Sequence, residues 1–217
     1  MAPYYPVYLD VRDRRCVIVG GGQIAEGKVA ALLESGARIC IVSPEVTDEI
    51  QDMADSGALT LEKREYRDGD LEGAFIAIAA TDDPDLNERI SREATARNVP
   101  LNVVDVTHLC TFIAPSIVRR GEVTVAISTA GLSPALARKL RVELQDSPAL
   151  DYADLAPMLS EVRLELRSEG TVVDAEHWQT CLNRELVDLF RADRDAAKQA
   201  LKRALLEDAA SGVSAVQ

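Results

Sequence analysis

The sequence is short of histidine, of paired cysteine and of positive charge, and it has no apolar run approaching 18 residues. Without such a run nothing has membrane-spanning length. With no charged-then-apolar leader at residue 1, secretion is not expected either. The formal charge of −12 argues against nucleic acid as a partner, since nucleic-acid surfaces are basic. Cys16, Cys40, Cys110 and Cys181 lie far apart with no CxxC pair. Three of them sit in or beside apolar stretches, where a free thiol behaves as a small hydrophobe, so a reduced, cytoplasmic setting is expected. The only histidines are His108 and His177. Neither has another ligand at recognisable spacing, so no metal site is expected; both read as loop, surface or packing residues.

What remains is an ordinary globular composition, 47% hydrophobic and 28% charged over 217 residues, enough for one core with an appendage or two small domains. Short apolar runs at Arg15–Val19, Arg38–Val42, 59–61, 75–79 and 101–104 read as buried strands. Helical patterns at 23–35, 47–55 and Pro84–Arg97 alternate with them. That alternation predicts an α/β, Rossmann-like parallel sheet over residues 1–113. The pattern then changes. Ser116–Arg120 and 123–128 flank Arg120-Gly121 as a candidate hairpin, and Ser133-Pro134 opens a helix to Leu144, together a small α+β unit over 114–147. Residues 148–217 read as helical. They comprise a run closed by Gly170, one helix spanning Trp178 to Phe190, another from Ala196 to Leu206, and a loose tail from Ala209.

The stretch "VIVGGGQIAEGK" (17–28) passes from a strand through three glycines into a helix. Gly20 and Gly22 fit the first two glycines of a dinucleotide turn, with Ala25 as the third small residue. Such a turn seats a pyrophosphate on a helix N-terminus. Twenty residues on, Glu45 in Val42-Ser43-Pro44-Glu45 can accept from ribose hydroxyls and would repel a 2′-phosphate, so NAD is expected over NADP. Ligands of open sheets gather beyond the carboxyl ends of the strands. There Asp82 and Asp83 read as helix N-terminal charges, beside Thr81 as a further cofactor contact. Asp105, ending an apolar strand, is expected to be partly desolvated and to serve as a base with a raised pKa.

Taken together, "VIVGGGQIAEGK", "AIAATDDPDLN" (77–87), "NVVD" (102–105), "FIAPSIVRRG" (112–121) and "AISTAGLSPALARKLR" (126–141) resemble the precorrin-2 dehydrogenase family, the N-terminal module of siroheme synthases. The resemblance runs from Tyr5 to about Leu144. It implies NAD-dependent oxidation of precorrin-2 to sirohydrochlorin, in some members followed by ferrochelation with ferrous iron as substrate. It also implies a homodimer in which residues 114–147 form the dimerisation unit. Family cofactor contacts fall on Gln23, Ile24, Pro44 and Glu45, and the catalytic residue on Asp105. Thr129 stands where some relatives carry a phosphorylatable serine. The methyltransferase domain of bifunctional relatives has no counterpart, so precorrin-2 is expected to come from a separate enzyme.

Residues 114–143 carry five basic and two acidic side chains, a local positive field for a polyanionic substrate. Arg119, Arg120 and Arg138 are its candidate carboxylate contacts, with Asn102 and Ser128 as further substrate-binding candidates. Two other readings use the same glycines: an NAD-sensing regulatory module without catalysis, and another small NAD-dependent dehydrogenase.

Overall fold

The computed structural model describes residues 4–211, which form two compact units. One runs to Ala114 and includes Ala130–Leu132; the other holds Pro115–Thr129 and the chain from Ser133 onward.

In the first unit β1 (Arg15–Val19), β2 (Arg38–Val42), β3 (Thr60–Glu62), β4 (Ile76–Ala79) and β5 (Leu101–Val103) pair in parallel in the order β3-β2-β1-β4-β5. Three helices accompany them, α1 (Gln23–Glu34), α2 (Asp48–Asp55) and α3 (Pro84–Arg97). Successive strand residues face opposite sides of a sheet. Accordingly Cys16 and Ile18 of β1 share a core with Val29 of α1 and Ile50 of α2, while Val17 and Val19 share another with Ile90 and Ala94 of α3. Both faces are covered, which is why β1 reads as an unbroken apolar run. The strand order reverses between β1 and β4, and the crevice beyond their carboxyl ends is where this architecture takes ligands.

Local chemistry sets the helix ends. Gly36 (φ +77°) closes α1 and left-handed Asn98 closes α3. The Asp83 carboxylate accepts from the Asp85 and Leu86 amides at 2.9 and 3.2 Å, with Pro84 as the first helical residue. Asp83 is therefore a helix cap.

The second unit begins with an antiparallel hairpin, β6 (Ser116–Arg120) and β7 (Val123–Ile127), turned at Gly121. Next comes α4 (Pro134–Gln145), capped where the Ser133 hydroxyl accepts from the Leu136 amide at 3.2 Å. A 3-10 stretch, Pro148–Leu155, leads into α5 (Ala156–Ser168), α6 (Ala175–Cys181), α7 (Arg184–Ala192) and α8 (Arg194–Ser211) around Leu155, Met158, Val162, Val187 and Leu201.

Three sequence expectations change here. The single helix from Trp178 to Phe190 is two helices, because Asn183 starts a new one: its Oδ1 accepts from the Leu186 amide at 2.9 Å. The last helix begins earlier than Ala196 because the Asp193 carboxylate accepts from the amides of Asp195 and Ala196 at 3.0 and 2.9 Å. It also continues through 209–211, where a loose tail was expected, and 212–217 lie outside the described residues.

Candidate functional site

The three glycines play three roles. Gly20 has φ +107°, and a Cβ there would lie 2.1 Å from the carbonyl oxygen of Ala80. Only glycine lets the turn leave β1 so close to β4. A Cβ on Gly21 would meet the Glu45 carbonyl at 2.4 Å and the Val46 side chain at 2.6 Å. The Gly20 amide donates to Val42 and the Thr47 amide to Gly21, both at 3.0 Å, so the 43–47 segment docks on the turn. This brings exposed Pro44 and Glu45 beside the glycines, and Glu45 forms no ion pair among the described residues.

Gly22 is different. It is the N-cap of α1, it offers no side chain to cap the first amides, and a Cβ on it would meet nothing within 4 Å. The N-terminus of α1 is thus left bare, with its partial positive charge available to an anion. Ala25 behind it is fully buried, which permits close packing of helix on strand. These features fit a dinucleotide pyrophosphate.

Beside this turn a cleft of about 380 Å³ is lined by Ile24, Thr81, Asn87, Val104, Asp105 and His108, among others. Asp105 is the third residue of a turn closed by the Val106 amide on the Val103 carbonyl at 3.3 Å, and its φ is +59°. Aspartate tolerates that conformation better than most residues. The turn carries the carboxylate outward, so Asp105 is exposed. The partial desolvation expected from its apolar flanks is not found, because Val104 and Val106 are half-buried while the left-handed residue between them points to solvent.

Beneath the turn, the Cys110 thiol accepts from the Val103 amide at 3.1 Å and lies 3.2 Å from the Val103 carbonyl. Burial raises the pKa of this thiol, which keeps it protonated and able to donate. His108, read from the sequence as a loop residue, is exposed on a 3-10 turn and faces the same cleft as Asp105. Among the described residues no group of three His, Cys, Asp or Glu side chains is arranged to hold a metal ion.

Asn87 went unremarked in the sequence. It is 3% exposed, it donates from Nδ2 to the Thr81 carbonyl at 3.0 Å, and its Oδ1 has no partner. Its position in the fourth helical residue after Asp83 looks like an ordinary solvent-facing amide. Nothing short of the fold reveals it at the cleft.

Other expected site residues have different places. Asn102 is 7% exposed and donates from Nδ2 to the Phe112 carbonyl at 3.2 Å, tying the segment after β5 to that strand. Arg119, Arg120, Ser128 and Arg138 all belong to the second unit. Arg120 is not a free cation. Its Nε and Nη2 reach the two oxygens of Asp154 at 2.8 and 2.5 Å, and Nη1 reaches Asp151 at 2.9 Å. Arg184 and Arg191 also bind Asp151, each at 2.6 Å. Hydrogen bonds from Arg184 first, then Arg191 and Arg120, hold the Asp151 carboxyl down at about 2. Arg120 therefore anchors β6 to the 3-10 stretch. Arg119, Ser128 and Arg138 are exposed. The Thr129 hydroxyl donates to the Ser133 carbonyl at 3.1 Å and accepts from its amide at 3.2 Å.

Comparison with known proteins agrees with this geometry. Residues 7–116 match the family model described as "Putative NAD(P)-binding", and residues 120–147 match "Sirohaem biosynthesis protein central". A siroheme synthase from Thioalkalivibrio sulfidiphilus is 37% identical over 205 residues, covering 93% of this chain and 42% of that protein. One from Methylobacillus flagellatus is 43% identical over 158 residues, 73% of this chain and 34% of that protein. One from Pseudomonas aeruginosa is 35% identical over 215 residues, 97% of this chain and 45% of that protein. The chain thus spans less than half the length of these relatives. Among solved structures, "SirC, precorrin-2 dehydrogenase" superposes with a TM-score of 0.72 at 24% identity, over 94% of this chain and all of that one, which establishes the shared fold.

Proposed function

We propose, from the premise that this chain belongs to the NAD(P)-binding family and carries the sirohaem-biosynthesis central segment, that it is an NAD-dependent precorrin-2 dehydrogenase. The observation that carries the proposal is the cleft at the β1–β4 reversal. It joins Ile24, in the first turn of the uncapped α1, to an exposed carboxylate at Asp105. Siroheme synthases align along nearly the whole chain, which supports a tetrapyrrole as the substrate class.

In this reading the amides at the start of α1 hold the pyrophosphate through Gly22, Gln23 and Ile24. Pro44 and Glu45 face the adenosine ribose. The Glu45 carboxylate accepts from its hydroxyls and repels a 2′-phosphate, which supports NAD over NADP. NAD, when bound, takes up the hydride that leaves the macrocycle. Asp105 accepts the proton released with that hydride, so the reaction balances as loss of H⁻ and H⁺ from the substrate. Exposure of Asp105 lets the proton pass to water afterwards. Arg119 and Arg138, exposed in the second unit, meet substrate carboxylates, and Ser128 stays a candidate contact; Arg120 and Asn102 do not. The proposed homodimer rests on the hairpin edge and on Leu132, Leu136 and Leu140, all exposed on and before α4. Among the described residues no helix is long and apolar enough to cross a membrane, and a cytoplasmic enzyme is part of the proposal.

Mixing the protein with NAD and precorrin-2 and following the visible spectrum tests it. A new chromophore appearing only with both supports a dehydrogenase. Bound NAD with an unchanged tetrapyrrole spectrum supports a cofactor sensor instead.

A further inference from the structure

We infer that the cleft selects the oxidation state of its cofactor, binding oxidised nicotinamide in preference to reduced; this rests on the nicotinamide reading above. Asp82, Glu88 and Asp105 line the cleft, and among the described residues no lysine or arginine does. Asp82 and Glu88 are exposed and form no ion pair among the described residues, so their charges act on whatever enters. Alone, three carboxylates would say little. The second observation is Asn87, buried at the same cleft with an unpartnered Oδ1. Its orientation is fixed, because turning the amide over would set Oδ1 against the Thr81 carbonyl that Nδ2 now satisfies. A buried acceptor without a donor is costly, and a ligand bringing an N–H relieves it.

Oxidised nicotinamide brings both complements, a positively charged ring and a carboxamide N–H. The reduced ring keeps the N–H and loses the charge. Asn87 therefore serves both forms, while the carboxylates favour only the oxidised one. Hydride uptake neutralises the ring, so the same carboxylates that favour binding before reaction cease to hold the ring after it. This speeds release of reduced cofactor.

The test is titration of the full chain with NAD⁺ and with NADH, by calorimetry or protein fluorescence, without substrate. The wild type should bind NAD⁺ at least several-fold more tightly than NADH. Asp82→Asn with Glu88→Gln should narrow that ratio by about two- to five-fold per carboxylate removed, the range for exposed charge pairs. The narrowing should come mainly from weaker NAD⁺ binding, and added salt should shrink the wild-type ratio the same way. Both changes are on exposed positions, so thermal melting should match wild type. An NAD⁺ analogue carrying acetyl in place of the carboxamide lacks the donor and should bind several-fold more weakly; equal affinity would remove Asn87 from recognition. Equal binding of NAD⁺ and NADH by the wild type, or an unchanged ratio in the double variant, overturns the inference while leaving the dehydrogenase reading intact. Failure of both to bind overturns that reading itself.

Discussion

Replacing Gly20 by alanine and, separately, Gly22 by alanine should produce opposite defects. At Gly20 the backbone stays at φ +107°, and the new methyl lies 2.1 Å from the Ala80 carbonyl oxygen, a backbone atom of the segment leaving β4. Left-handed strain for a residue with a Cβ costs about 1–2 kcal/mol, and overpacking against a rigid wall adds about 1–3 kcal/mol. The sum, roughly 2–5 kcal/mol, is a large share of a domain's ~5–15 kcal/mol stability. At about 2–4 °C per kcal/mol it should lower Tm by roughly 4–20 °C. At Gly22 φ is −84° and the methyl meets no protein atom. Loss of glycine at an N-cap costs at most about 1 kcal/mol, so Tm should fall by no more than ~4 °C. The methyl does, however, enter the space above the α1 amides, so dinucleotide affinity should fall at least tenfold. Thermal denaturation and NAD titration of both variants read the two effects. A Gly20→Ala protein that melts like wild type, or a Gly22→Ala protein with wild-type affinity, would refute the division of roles.

Four further outcomes are expected. Asp105→Asn should reduce the rate of precorrin-2 oxidation by about 10²–10⁴-fold, the usual cost of a lost general base, while NAD⁺ affinity falls by no more than the about two- to five-fold of one cleft carboxylate; near-normal turnover would remove Asp105 from the mechanism. Wild type should show higher kcat/KM with NAD than with NADP, and Glu45→Gln should narrow that gap, measured by steady-state kinetics. The Asp151 carboxyl sits at about 2 in the folded chain against an ordinary 3.8, so its stabilising effect is complete above about pH 4 and is lost as pH falls toward 2. Asp151→Asn should therefore melt lower at pH 7 and converge with wild type only as pH falls below about 2. Arg138→Glu should raise KM for the tetrapyrrole and leave Tm unchanged, whereas Arg120→Glu should lower Tm because it sets a third carboxylate against Asp151 and Asp154; unchanged KM in Arg138→Glu would exclude that residue from substrate recognition.

Local signals made most of the first unit legible. β1 announces itself because four consecutive apolar residues precede glycines, and α3 because Asp83-Pro84 is a cap followed by a first-turn proline. Ile24, just after the glycine turn, and Asp105 border one cleft for the same reason, since both follow strand ends. Partners distant in sequence could not be read. Arg120 looked like a free substrate contact because Asp151 and Asp154 lie 31 and 34 residues away. Asn102 looked available because its acceptor is a backbone carbonyl ten residues on. The exposure of Asp105 follows from a single left-handed residue, which apolar flanks do not encode. The break between α6 and α7 was readable, since Asn183 is a strong N-cap residue. The helical spacing of apolar residues across it concealed the signal.

The proposed coupling of tetrapyrrole oxidation to nicotinamide reduction at one cleft has a direct test. The direct measurement is an anaerobic single turnover with NAD and precorrin-2, following NADH and sirohydrochlorin in the same sample, with and without ferrous iron. One NADH should form for each sirohydrochlorin, at a rate independent of iron and slowed about 10²–10⁴-fold in Asp105→Asn. Sirohydrochlorin forming without NADH, or no product from protein that demonstrably binds NAD, would contradict the account.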